Sequence, residues 1–152
     1  MISYLIWFLS AAAGCLFFCL SMRSPRRALL PTSLVAGLAY ALYMLVEGLT
    51  HLLPLAYFLA TLFVAVAGEV LARGMRMPAT IFLFPAVLPM VPGIGIYRTM
   101  LYLLRSEYEA FLDTGTETLL ALGAMAVAIA LTNEIARRFS PVLRPTARKE
   151  RI

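Results

Sequence analysis

Long apolar runs separated by short basic or polar clusters set the pattern of this chain. Five runs are expected to form membrane-crossing helices, at residues 3–22, 29–46, 54–72, 77–104 and 117–136. About 20 residues at about 1.5 Å each cover a hydrocarbon core of about 30 Å, and in lipid a helix satisfies its own backbone. The first run ends at a basic turn with Arg23, Pro25, Arg26 and Arg27, and Pro31 sits near the start of the second, where proline is tolerated. Glu47, Gly48 and His51 make the next turn, and the third run is bounded by Arg73-Gly74-Met75-Arg76 and Pro78. Residues 105–113 mix polar and apolar positions and read as the amphipathic end of the fourth helix leaving the membrane. Thr114-Gly115-Thr116 reads as a turn before the last run. The expected organisation is all-α: a polytopic transmembrane domain over 1–136 and a basic cytoplasmic tail over 137–152, partly disordered.

The fourth run differs from the others. From Met77 to Leu104 its single ionised side chain is Arg98, and it holds Leu88-Pro89-Met90-Val91-Pro92-Gly93-Ile94-Gly95-Ile96-Tyr97-Arg98. An unbroken helix of that length overruns the core, so a break is expected at this stretch. Pro92 lacks a backbone donor and crowds the preceding turn, while Gly93 and Gly95 tolerate the dihedrals of a restarting helix. Two readings stand side by side. In one, the joint is a proline kink of purely structural meaning. In the other, the freed backbone groups bind a substrate, as the broken helices of transporters do near the bilayer midplane.

Composition agrees with the pattern: 62% hydrophobic and 14% charged residues in 152 mark an integral membrane protein of one domain. The net charge of +5 suggests no nucleic-acid partner, because the basic residues cluster between apolar runs. That clustering sets topology. Eleven of the 13 Lys and Arg residues fall on one side, all but Arg98 and Arg105, which puts the N-terminus outside and the C-terminus inside. Glu47, Glu107, Glu109, Asp113 and Glu117 then lie in or beside the outer connections, and the Tyr and Trp residues form an outer interfacial belt. The apolar run at the N-terminus has no basic leader and continues past any cleavage point, so Met1 is expected to begin the mature protein. Cys15 and Cys19, four apart, suit neither a redox pair nor a zinc site and are expected as small hydrophobes in a helix interface.

Pairs of small residues four apart predict close helix packing: Ser10/Gly14, Thr61/Ala65, Gly68/Ala72, Ala124/Ala128 and Ala126/Ala130. Ionisable residues within spans are candidate functional groups, since burying them is costly. Arg98 follows Pro92-Gly93 closely enough for its guanidinium to share a cavity with the N–H groups of Gly93, Ile94 and Gly95, a combination suited to a carboxylate. Pro92, Gly93, Ile94, Gly95, Tyr97 and Arg98 are therefore the candidate substrate-binding set, against the alternative that Arg98 snorkels to the outer headgroups. Glu69 with Arg73, and Glu134 with Arg138, are i, i+4 pairs that fit a structural role better than ion coupling. His51 has no nucleophile near it, and no metal-ligand cluster, phosphate loop or ATP motif occurs, so neither enzymatic chemistry nor a cofactor is expected. Energy for transport then comes from a gradient or from another subunit.

The run Leu88-Pro89-Met90-Val91-Pro92-Gly93, followed by Tyr97 and a Leu-rich helix, resembles the proline-glycine segment of the threonine/serine exporter (ThrE-like) family, and more closely its small YjjB-like subunit. The likeness extends over nearly the whole chain, to the five apolar spans and the Ala/Gly-rich last span before a basic tail. It implies a secondary exporter of threonine, serine or a small carboxylate such as succinate, in the bacterial inner membrane. It also implies a partner, a larger YjjP-like membrane subunit, with this chain as the second half. A structural or assembly subunit without its own substrate site is the competing class.

Overall fold

The computed structural model describes residues 2–138, with side-chain surroundings from Leu5 onward. Six α-helices follow one another: α1 (Ile2–Ser21), α2 (Arg26–Thr50), α3 (Leu53–Met75), α4 (Thr80–Val87), α5 (Gly93–Leu104) and α6 (Tyr108–Arg138), with a 3-10 turn at Leu88–Met90 between α4 and α5. The expected all-helical membrane architecture is what the chain adopts. By length and apolarity α2, α3 and α6 each suffice to cross a membrane, and a fourth span results if Thr80–Met90 and Gly93–Leu104 count as one segment bent by 51°. Leu5–Ser21 of α1 is a shorter apolar helix. The expected tail lies, beyond Arg138, outside the described residues.

Helix α3 is the centre of the bundle, packed against α2, α4 and α6, while α1 lies against α2. Its packing face carries Ala56, Tyr57, Ala60, Thr61, Val64, Ala65, Gly68 and Ala72, small residues for the most part, which let neighbouring backbones approach where no hydrophobic force draws helices together in lipid. Gly68 shows this directly. A Cβ there would lie 3.7 Å from the backbone N of Leu83, in ordinary contact with α4. The pairs Thr61/Ala65 and Gly68/Ala72 therefore pack as expected.

Ser10/Gly14 does not: both are exposed, and a Cβ on Gly14 would meet nothing within 4 Å. The inward face of α1 is instead Ala11, Cys15 and Cys19, both cysteines buried and free, with Cys15 Sγ 3.8 Å from the Thr32 carbonyl oxygen. On α6 the inward face is Thr118, Ala121, Met125, Ala128 and Thr132, which leaves Ala126 and Ala130 exposed. That small-residue face has no partner within the described residues.

Two turns are placed differently from the expectation. Glu47 and Gly48 belong to α2, and the turn is made at His51, in the left-handed region with φ of 53°. Thr114-Gly115-Thr116 is no turn: it lies within α6, and the chain reverses at Arg105–Glu107, where Ser106 has φ of 60°. The threonines do not break the helix because Thr116 and Thr118 donate their hydroxyls to the carbonyls four residues back. Gly115 is wanted for close approach to α5, since a Cβ there would sit 3.2 Å from Thr99 Cγ2. Pro31, finally, is in the interior of α2, because that helix starts at Arg26, and the Thr32 hydroxyl donates to the Ala28 carbonyl beside it at 2.6 Å.

The basic residues Arg23, Arg26, Arg27, Arg73, Arg76, Arg137 and Arg138 gather at one end of the bundle, where the Arg73 guanidinium donates to the Ala136 carbonyl at 3.2 Å and ties α3 to α6. The break between α4 and α5 lies away from that end, with α5 and the start of α6 extending beyond it.

Candidate functional site

Proline chemistry builds the break. Pro85 inside α4 already lacks a donor, Pro89 lies in the 3-10 turn, and Val91 turns extended with ψ of 127° before Pro92. Helix α5 then starts at Gly93. Its glycines are not there for unusual dihedrals, because neither has a positive φ. Gly95 is needed for space: a Cβ would lie 2.5 Å from Thr118 Oγ1 on α6. Gly93 has open space around its Cα.

Of the three N–H groups expected to be free, that of Gly93 donates to the Val91 carbonyl at 2.7 Å. Those of Ile94 and Gly95 make no backbone hydrogen bond among the described residues and remain the open donors of the helix start.

A cavity of about 520 Å³ lies against this joint, within the range of small-molecule sites. Residues Pro89–Gly95 form one wall, and Arg98 reaches the same space from α5. The sequence-predicted Pro92, Gly93, Ile94, Gly95 and Arg98 are thus brought together. Tyr97 is not: it is 67% exposed and takes no part in the lining. The two ion pairs lie elsewhere. Glu69 with Arg73 and Glu134 with Arg138 are each 3.8 Å apart, at the basic end of the bundle.

The facing walls come from residues outside the candidate set expected from sequence. Trp7, Tyr40, Tyr43, Glu47, Tyr57, Thr114, Glu117 and Thr118 all line the cavity. Tyr43 and Tyr57 are buried, at 8% and 7% exposure, so they do not face lipid headgroups. Trp7, Tyr40, Tyr43 and Tyr57 form a ladder of rings with successive centroid separations of 6.0, 5.8 and 4.7 Å. The signal for them was present in the sequence: Tyr40, Tyr43 and Glu47 are spaced three and four apart, on one helix face. A second helix ending at residue 46 leaves only Glu47 off that face, and α2 in fact runs on to Thr50.

The cavity lies toward the end of the bundle away from the basic turns, as its walls use the first turns of α1, α3 and α5 and the last turns of α2. Chemically, the lining brings one guanidinium, two open N–H groups, two carboxylates and several aromatic rings about one space, groups able to attract both anionic and cationic parts of a small polar solute. Among the described residues no three His, Cys, Asp or Glu side chains group as metal ligands.

Residues 7–135 match the family described as Threonine/Serine exporter, ThrE. An uncharacterized protein of Haemophilus influenzae (strain ATCC 51907 / DSM 11121 / KW20 / Rd) is 25% identical over 151 residues, a match covering 94% of this chain and 51% of that protein. The chain thus spans about half the length of this relative. No solved structure matches.

Proposed function

Because the chain belongs to the threonine/serine exporter family, we propose that it is the second half of a secondary exporter that carries threonine, serine or a small carboxylate such as succinate out across the inner membrane. The observation that carries this reading is the cavity at the helix break, which Arg98 lines together with Ile94 and Gly95, whose N–H groups are open at the helix start. A helix N-terminus bears partial positive charge and arginine binds carboxylates in bidentate fashion, so the substrate carboxylate sits there. The first half is a larger YjjP-like membrane subunit that covers the exposed Ala126/Ala130 face of α6. Access alternates by rocking of one half against the other, driven by a gradient. The N-terminus is outside and the C-terminus cytoplasmic.

Efflux measured with both subunits, with each alone, and with Arg98 variants tests this. Arg98→Lys keeps the charge but loses the fork geometry, and Arg98→Ala loses both, so efflux falls in that order. Loss of a charge-assisted contact of about 1.5 to 3 kcal/mol weakens binding about tenfold to hundredfold. Undiminished efflux at normal abundance in Arg98→Ala would falsify the carboxylate role and leave this chain as a structural or assembly subunit whose partner owns the site.

A further inference from the structure

The carboxylates on the cavity wall have no use in binding another carboxylate. Arg98 is the one guanidinium in the lining, whereas Glu47 and Glu117 bring two carboxylates, a formal excess of one negative charge. A dicarboxylate entering this space adds two further negative charges, and like charges brought together out of bulk water repel strongly. A solute with one carboxylate and one ammonium finds a counter-charge for each end.

Resting on the reading that this cavity holds the transported solute, we propose that Glu47 binds the ammonium of a zwitterionic amino acid and thereby sets the preference for amino acids over dicarboxylates. Three observations select Glu47 over Glu117. Glu47 is half-buried and Glu117 exposed, and a less hydrated carboxylate attracts an ammonium more strongly and is costlier to leave unpaired. The ring ladder converges on it: Glu47 follows Tyr43 by one turn of α2, Tyr43 and Tyr57 are 4.7 Å apart between centroids, and aromatic faces attract cations. Last, among the described residues no cation lies within 4 Å of it, the ion pairs there being Glu69–Arg73 and Glu134–Arg138. The carboxylate end of the solute then lies toward Arg98 and the start of α5, and the ammonium end toward α2.

The test is the ratio of threonine to succinate efflux from cells carrying the chain at its native locus, so that any partner is retained; cells lacking the chain supply the background. A flux ratio does not depend on the amount of protein. Glu47→Gln should lower threonine efflux about tenfold to hundredfold and leave succinate efflux undiminished or raised. Glu47→Asp keeps the charge one methylene short and should lower the ratio less; it also carries the test if Glu47→Gln does not accumulate. Glu117→Gln also removes a lining charge, from an exposed position, and should lower the ratio less than Glu47→Gln; an equal or larger fall there overturns the choice of Glu47. An unchanged ratio in the Glu47 variants, with threonine efflux still lost in Arg98→Ala, overturns the ammonium role and keeps the carboxylate site. Equal loss of both fluxes in Glu47→Gln also overturns it, as the mark of a structural residue. If neither Arg98→Ala nor Glu47→Gln alters either flux, the cavity is not the pathway and both readings fall.

Discussion

Thr61 on α3 is fully buried, and its hydroxyl meets no hydrogen-bond partner among the described residues. The buried hydroxyls of Thr32 and Thr132, by contrast, donate to carbonyls four residues back within their own helices. A buried hydroxyl without a partner costs about 1 to 3 kcal/mol, and Val has the same branched shape without the oxygen. Thr61→Val is therefore expected to raise stability by about 1 kcal/mol, read as a higher Tm of the purified chain in mild detergent. A lower Tm would show that the hydroxyl does make a hydrogen bond in the folded chain. At this scale the sequence was informative where charge stands alone. Arg98, the single ionised residue between Met77 and Leu104, lines the cavity as the sequence implied. Glu47 was not legible in the same way, because a carboxylate close to a helix end looks like a solvated loop residue until the helix is seen to run on to Thr50.

Helices α5 and α6 form an antiparallel hairpin held by two glycine contacts, Gly95 against Thr118 and Gly115 against Thr99. Because Thr118 already lines the cavity, the ten or so residues of α6 before it project about 15 Å past it, together with α5. None of the α5 residues is buried, so its place depends on these small contacts. Gly95→Ala puts a Cβ 2.5 Å from Thr118 Oγ1 and 3.3 Å from its Cγ2, and overpacking of this kind costs about 1 to 3 kcal/mol. The expected result is a lower Tm, restored by adding Thr118→Ala, which removes both atoms. Gly93→Ala, with open space and no positive φ at that position, is expected to leave stability within about 0.5 kcal/mol of the unaltered chain, with Tm nearly unchanged. Equal loss in Gly93→Ala and Gly95→Ala would point to backbone conformation in place of packing. Element existence was readable from apolar periodicity, while the false turn at Thr114-Gly115-Thr116 shows its limit. A Gly flanked by threonines signals a turn locally, and only the close approach of α5 shows that this glycine serves packing.

For the whole molecule, the gathering of Arg23, Arg26, Arg27, Arg73, Arg76, Arg137 and Arg138 at one end makes orientation testable. An excess of Arg and Lys marks cytoplasmic faces, so the orientation proposed above turns the cavity end outward. Ser106→Cys, at the exposed tip of the hairpin, should react with a membrane-impermeant thiol reagent in intact cells. Gly74→Cys, exposed at the basic end, should react only after permeabilisation. Cys15 and Cys19 are buried and contribute little background. The reverse pattern would turn the cavity toward the cytoplasm.

Sequence alone determined that this is an all-helical membrane protein with a break at Pro92, because those facts follow from local properties: apolar run length against bilayer thickness, and the donor that proline lacks. It also marked one end of the bundle as basic, since charge clusters are contiguous in the chain. What it left open is which side chains meet. Trp7, Tyr40, Tyr43, Glu47, Tyr57, Arg98 and Glu117 come from five different helices, and only the packing of α2 and α6 on α3, with α1 on α2 and α5 on α6, sets them about one cavity. Which glycine is sterically required, and which small-residue stripe is covered, depend likewise on a neighbouring helix. A residue's spacing fixes the face it occupies on its own helix; the neighbour that face meets is decided by tertiary contact.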